Sequence, residues 1–99
     1  MKVIYVESLE EFRKHVALEK PITIGIVNHG EYVHIEVRGV LKHCEDTIIA
    51  VTLPVAHIVP YTYDPDTRKK VEEKLEEVTN IVKQKLGIEP IRGVLTHDV

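Results

Sequence analysis

Apolar and polar residues alternate along the middle of the chain with the period of two that β-strands require. In "ITIGIV" the isoleucines take every second position from Ile22 to Ile26, and in "YVHIEVRGVL" apolar residues or glycine take the odd positions from Val33 to Leu41. The pattern predicts an antiparallel hairpin. A two-residue loop at 29–30 pairs Ile26 with Val33 and puts the apolar residues on one face, with His29 as a turn residue.

Two segments have the helical period of 3.6 residues. Ser8 and Glu11 have the spacing of a capping box, which predicts a short helix that runs to about Glu19. A longer helix is predicted after Asp64, with a proline at its first position, and it ends at Gly87. The apolar stripe of the longer helix consists of Val71, Leu75, Val78, Val82 and Leu86.

Three further strands complete the predicted set. The segment "KVIYV" at 2–6 is almost entirely apolar, which is typical of a strand covered on both faces or flanked by neighbouring strands. The segment "TIIAVTL" at 47–53 continues the apolar face, and Pro54 after it indicates an edge or a bulge because proline cannot donate to a sheet. "VAHIV" is a candidate continuation after that kink, and "PIRGVLT" at 90–96 is the last strand.

The predicted order is β-α-β-β-β-α-β in a single domain over residues 1–99. Right-handed crossovers place both helices on one face of a mostly antiparallel sheet, so the predicted fold class is α+β, a two-layer α/β sandwich. By element order only, the chain resembles the ferredoxin-like βαββαβ fold with one added strand. Its αβββα middle has the order of double-stranded-RNA-binding domains.

Composition narrows the functional classes. The single cysteine, Cys44, excludes an internal disulfide and favours a reducing, cytoplasmic setting. The formal net charge of −3 argues against a general nucleic-acid binder. No apolar run has the length of a signal peptide or membrane span, and no phosphate-binding glycine loop occurs, so neither a membrane nor a cofactor is predicted. A charged fraction of 29% without tryptophan is common in proteins of heat-loving organisms.

The other side of the hairpin carries a row of polar residues that point the same way, with about 7 Å between alternate positions. Thr23 lies beside the row on the facing strand. The row is a half-solvated sheet face, an interface with a second copy or a partner, or a metal or acid–base site. A zinc site needs three or four ligands; His34 and Glu36 supply two, and the rest would come from His57 or from His43 with Cys44. The row consists of Tyr32, His34, Glu36 and Arg38.

A second candidate site lies at the start of the long helix. Arg68, Lys69 and Lys70 fall near its first turn, where helix N–H groups and cations together bind anions. Asp64 and Asp66 lie at the same end of the helix and would repel a phosphate. The simpler interpretation is a solvated helix face stabilised by pairs of opposite charge one turn apart.

From these features we expect a small cytoplasmic module that binds or regulates and associates with itself, as a dimer, rather than a stand-alone enzyme. One alternative is a metal-dependent hydrolase or nuclease that uses His34 and Glu36. Another is a nucleic-acid-binding protein that uses Arg13, Lys14 and the basic cluster at 68–70.

Overall fold

The computed structural model describes residues 2–43, 49–60 and 64–95, and Cys44 lies outside them. Within these residues the strands and helices follow in the predicted order. The helices are α1 (Leu9–His15) and α2 (Pro65–Leu86). The strands are β1 (Lys2–Tyr5), β2 (Thr23–Asn28), β3 (Val33–Val40), β4 (Ile49–Ile58) and β5 (Ile91–Leu95).

All five strands form one sheet in the order β1-β4-β3-β2-β5. The central pairings, β2 with β3 and β3 with β4, are antiparallel, and the two outer pairings are parallel. Consequently β1 runs parallel to β2, and β4 runs parallel to β5. The crossover through α1 from β1 to β2 and the crossover through α2 from β4 to β5 both move across the sheet in the same direction. Crossovers of one hand then put both helices on one face. The predicted two-layer α+β sandwich is confirmed.

The core lies between that face and the helices. Val33, Ile35 and Val37 of β3 are buried, and they pack in one cluster with Phe12 of α1 and Val78 of α2. The predicted inward turn of the odd-numbered β3 residues is therefore correct. Burying a side chain of this size stabilises the fold by about 1.5–3 kcal/mol, which makes the register of β3 costly to slip by one residue.

The hairpin register differs from the prediction by two residues. Ile26 pairs with Ile35, and not with Val33. A shift of two residues leaves every side chain on its predicted face, because side chains of a strand alternate with a period of two. The apolar pattern therefore could not distinguish the two registers.

The hairpin loop selects the observed register. A hydrogen bond of 2.9 Å from the His29 N–H to the Tyr32 carbonyl closes a two-residue loop at 30–31. Gly30 takes a φ of 88° at the first loop position, where a II′ turn needs a positive φ, and its N–H donates to Asn28 Oδ1. His29 is the first residue of this four-residue turn, and the prediction that it is one of the two loop residues was wrong, because its N–H pairs with Tyr32 before the loop.

Helix α1 ends at His15, short of the predicted Glu19. Val16 takes an extended conformation and forms a β-bridge with Leu41. The next N–H, that of Ala17, donates to the Val40 carbonyl at 2.7 Å. The chain leaves the helix early because its backbone pairs with the end of β3.

Among the described strands, β1 lies at the edge of the sheet and pairs only with β4. Its burial pattern is mostly exposed, and the Tyr5 side chain is 68% exposed. The interpretation of the apolar segment at 2–6 as a strand covered on both faces or flanked by neighbours was wrong. Edge position depends on strand order, which no local pattern encodes.

Pro54 marks a bulge, as its missing N–H predicted. Ile35 pairs with Ala56 while Glu36 pairs with Pro54, which leaves Val55 as the extra residue. Pairing with β1 stops at Thr52, and no other described strand lies beside this half of β4 on that side. A proline is tolerated there because none of the described strands needs its N–H.

The ends of α2 follow the predicted caps. Asp64 Oδ1 accepts a hydrogen bond of 2.8 Å from the Thr67 N–H, and Gly87 ends the helix with a φ of 68°. Neither helix in the described part of the chain combines the length and apolar character needed to cross a membrane.

Candidate functional site on the open face of the sheet

The open face is the side of the sheet opposite α1 and α2. The polar row, Tyr32, His34, Glu36 and Arg38, lies along its middle, on β3 and the residue before it. Thr23 of β2 is the register partner of Arg38, and its hydroxyl donates to the Arg38 carbonyl at 3.5 Å. The structure therefore brings together the five residues predicted for this face.

Glu36 is the buried centre of the polar row, with only 2% of its side chain exposed. Its Oε1 accepts a hydrogen bond of 2.7 Å from Arg38 Nη2, and its Oε2 lies 3.0 Å from His34 Nε2. A carboxylate this far from water is stable only when paired and hydrogen-bonded. Glu36 thus does not belong to a half-solvated surface, and its charge is balanced within its own strand.

The chain of hydrogen bonds continues to His29. The Nε2 atom of His29 lies 2.7 Å from His34 Nδ1, and its ring stacks on Tyr32 with centroids 4.5 Å apart. Sequence reasoning placed His29 in the turn and missed this contact. His29 lies two residues after Val27, which pairs with His34. Because alternate residues of a strand share a face, this spacing was the available signal that His29 lies on the same face as His34.

His57 joins the same group from β4, where it is the register partner of His34. Its ring centroid lies 5.7 Å from that of His34 and 5.8 Å from that of Tyr32. Four rings thus converge at the hairpin end of the open face, and we name them the ring cluster. The ring cluster consists of His29, Tyr32, His34 and His57.

The described residues of the ring cluster are not arranged as a metal centre. Among the residues that the structure describes, no three His, Cys, Asp or Glu side chains are placed to hold a metal ion. Both ring nitrogens of His34 have partners, so a metal ion at His34 would displace His29 or Glu36. The chemistry that this arrangement offers is proton exchange and ring packing.

Two buried polar atoms lie beside the polar row. Arg38 Nε and Thr52 Oγ1 have no hydrogen-bond partner among the residues that the structure describes, and Thr52 is the register partner of Arg38 on β4. Buried donors and hydroxyls are normally satisfied by protein or water. A water molecule or an acceptor group next to Arg38 would therefore be stabilised.

The predicted anion site does not gather into one basic pocket. Arg68, Lys69 and Lys70 are exposed near the start of α2, and of the three only Lys70 lines the cleft of about 750 Å³ found there. Among the described residues that line that cleft, two lysines are outnumbered by four carboxylates, so their charge opposes a phosphate. The carboxylates are those of Asp64, Asp66, Glu73 and Glu77.

The two basic groups expected to bind nucleic acid lie far apart. Arg13 lines a cleft with Lys85 at the C-terminal end of α2. Arg68 lies near the other end, about 25 Å away along the helix axis at 1.5 Å per residue. The fold does not merge them into one basic surface.

The fold and site define a two-layer α+β protein with one sheet face free of described helices. Neither a family model, nor a curated protein, nor a solved structure matches the chain. A functional proposal for this chain is therefore argued from the geometry of the open face.

Proposed function

We propose that this protein is a binding module that associates with a second copy of itself through the open face. The observation that carries the proposal is one cross-strand row of residues. In this row Tyr5 and Ile91 stand at the two outer strands, 68% and 56% exposed, and Arg38 stands at the centre. In order across the sheet, the row is Tyr5, Thr52, Arg38, Thr23 and Ile91.

The charge distribution of the open face favours its burial against a second copy. Glu36 is already buried, with both carboxylate oxygens in contact with Arg38 or His34. Bringing another surface over this group costs little further desolvation, since the charge is paired within the strand. Depletion of unpaired charge at the centre of a surface is characteristic of interfaces.

The shape of the open face also favours close approach. Gly25 pairs with Gly93 across β2 and β5, and a β-carbon added at Gly93 would contact nothing within 4 Å. Apolar side chains at both ends of the cross-strand row suit a two-fold interface, in which Tyr5 of one copy packs against Ile91 of the other.

The size of the open face sets the expected strength of the dimer. Five strands about 4.8 Å apart and about 20 Å long would bury on the order of 1,000 Å² in a face-to-face dimer, the small end for specific interfaces. We therefore expect a reversible dimer with a dissociation constant in the micromolar range. The single cysteine supports a reducing, cytoplasmic setting as part of the same proposal.

Sedimentation equilibrium at about pH 8, over protein concentrations from about 1 to about 200 µM, tests the proposal. We expect a monomer–dimer equilibrium that Ile91→Glu weakens by about tenfold or more. Ile81→Glu is the matched control, because Ile81 is 41% exposed but lies on α2, away from the open face. A monomer at every concentration, or an equal effect of Ile81→Glu, would overturn the proposal.

A further inference from the structure

We propose that a cleft on the helix side of the sheet binds a small aliphatic amine, with its alkyl chain inside and its ammonium group beside Glu7. The cleft has a volume of about 330 Å³ and lies between the start of α1, the middle of α2 and β4. We name it the helix-side cleft. Because it lies on the side of the sheet opposite the open face, the proposal is independent of self-association. Its apolar lining includes Leu9, Leu53, Val55, Val78, Ile81 and Val82.

The helix-side cleft exists because β4 continues beyond the end of β1. Pairing between the two strands stops at Thr52, and the chain then turns through Glu7 and Ser8 into α1. Helix α1 packs against β4, whereas α2 packs against β2 and β4. The cleft is the space left between the two helices above β4, so regular secondary structure supplies most of its walls.

The interior of the helix-side cleft is apolar. Leu53, Val78 and Val82 are buried in the hydrophobic core and form its floor. Val55 and Ile81 are 40% and 41% exposed and form its mouth. Small-molecule sites are concave and mostly apolar, with volumes of about 300–1,000 Å³. The helix-side cleft is at the small end of that range, which suits one short alkyl chain better than a large ring system.

The charges at the rim of the helix-side cleft favour a cationic head group. Lys74 and Glu77 pair with each other at 3.1 Å, so an anionic head group would have to displace Glu77 from Lys74. The backbone N–H of Glu7 donates to Glu11, but the Glu7 carboxylate pairs with no cation among the described residues. An ammonium group, which only donates hydrogen bonds, can therefore pair with Glu7 without breaking an existing contact.

The alkyl chain supplies most of the expected affinity, and Glu7 supplies the selectivity. Each methylene that leaves water strengthens binding by about fourfold, before the cost of immobilising the ligand is subtracted. An ion pair at an exposed rim adds about fivefold or less, because water screens it. An amine of about eight carbons should then bind with a dissociation constant of about 1 mM or tighter.

Amide NMR during titration with n-octylamine, 1-octanol and octanoate tests the proposal at about pH 7.5, where the amine is protonated. We expect n-octylamine to saturate one site, with the largest shifts at Ser8, Val55 and Ile81. The neutral 1-octanol should bind about threefold to fivefold more weakly, because it lacks the charge that pairs with Glu7. Octanoate should bind more weakly still.

Two pairs of variants complete the test. Val55→Trp fills the mouth and should weaken n-octylamine binding by about tenfold, whereas Leu18→Trp, at a position 38% exposed and outside the cleft, should not. Glu7→Gln should remove the preference for n-octylamine over 1-octanol, and Glu19→Gln, which makes the same change in net charge at another exposed position, should keep it.

The outcomes of this experiment are separate from those of the dimer experiment. Ile91→Glu changes only the open face, so this variant should bind n-octylamine as the unmodified protein does, whether or not a dimer forms. Failure of n-octylamine to saturate below about 5 mM, shifts outside the helix-side cleft, or octanoate binding at least as tightly as n-octylamine would overturn the proposal. An equal effect of Val55→Trp and Leu18→Trp would overturn it as well.

Discussion

Gly39 of β3 lies directly beneath Val16, the residue at which the chain leaves α1. A β-carbon placed on Gly39 would come within 2.2 Å of Val16 Cγ2 and 3.3 Å of Phe12 Cζ. Val16 is also held by its β-bridge to Leu41, so it cannot retreat without breaking that pairing. The absence of a side chain at position 39 is what lets the end of α1 pack on the sheet.

Gly39→Ala should therefore destabilise the protein by about 1–3 kcal/mol through overpacking, measured by urea denaturation. Gly93→Ala is the matched control, because its β-carbon meets no atom within 4 Å, and it should change stability by less than about 0.5 kcal/mol. Val16→Ala should recover part of the loss when combined with Gly39→Ala. Equal stability of the two glycine variants would contradict the close contact.

Removal of the arginine from the polar row should be costly. Arg38→Met leaves the buried Glu36 carboxylate with His34 alone, and we expect a loss of about 3 kcal/mol in the free energy of unfolding. Glu36→Gln removes the charge and keeps the shape, so it should cost less, about 1–2 kcal/mol. Adding Glu36→Gln to Arg38→Met should then cost less than the sum of the two.

An exposed ion pair on α2 provides the control for the Arg38→Met variant. Lys74 and Glu77 of α2 are 3.1 Å apart, with 42% and 58% of their side chains exposed. Lys74→Met should change stability by no more than about 1 kcal/mol. If Arg38→Met has no larger effect than Lys74→Met, the buried Glu36 carboxylate does not depend on its pairing with Arg38 as the geometry indicates.

Arg92 ties β5 to α2. Its Nη2 pairs with the Glu76 carboxylate, and its Nε donates to Thr79 Oγ1 at 3.2 Å. Arg92→Met should lower the free energy of unfolding by about 1 kcal/mol, because the contacts with Glu76 and Thr79 and a longer ion pair with Glu72 are lost at a partly exposed site. Hydrogen exchange of β5 amides should quicken more than exchange of β1 amides, and a uniform change across the sheet would argue against a local tether.

The N-cap of α2 offers a conservative pair of variants. Asp64→Ala removes the acceptor of the Thr67 N–H and should cost about 1 kcal/mol. Asp64→Asn keeps an oxygen in the same place and should cost only a few tenths of a kcal/mol. Thermal denaturation of the two variants checks the difference, and a loss from Asp64→Asn as large as that from Asp64→Ala would assign the effect to charge.

Local patterns in the sequence determined much of the fold. The alternation in β3 assigned Ile35 to the core and His34 to the other face, since only one parity of a strand can be buried against helices. The caps at Ser8 and Asp64 located both helix starts, because those side chains satisfy backbone donors within a few residues. The missing N–H of Pro54 indicated the bulge for an equally local reason.

The tertiary structure alone decided the contacts that make the candidate site. Pairing in β2 and β3 could slip by two residues without moving any side chain to the other face, so His29 could not be placed beside Tyr32 from the pattern. Likewise, His57 meets His34 only because β4 pairs with β3, and Tyr5 is exposed only because β1 is an edge strand. Local periodicity sets which face a side chain takes, whereas strand order and register, which depend on contacts distant in sequence, set its neighbours.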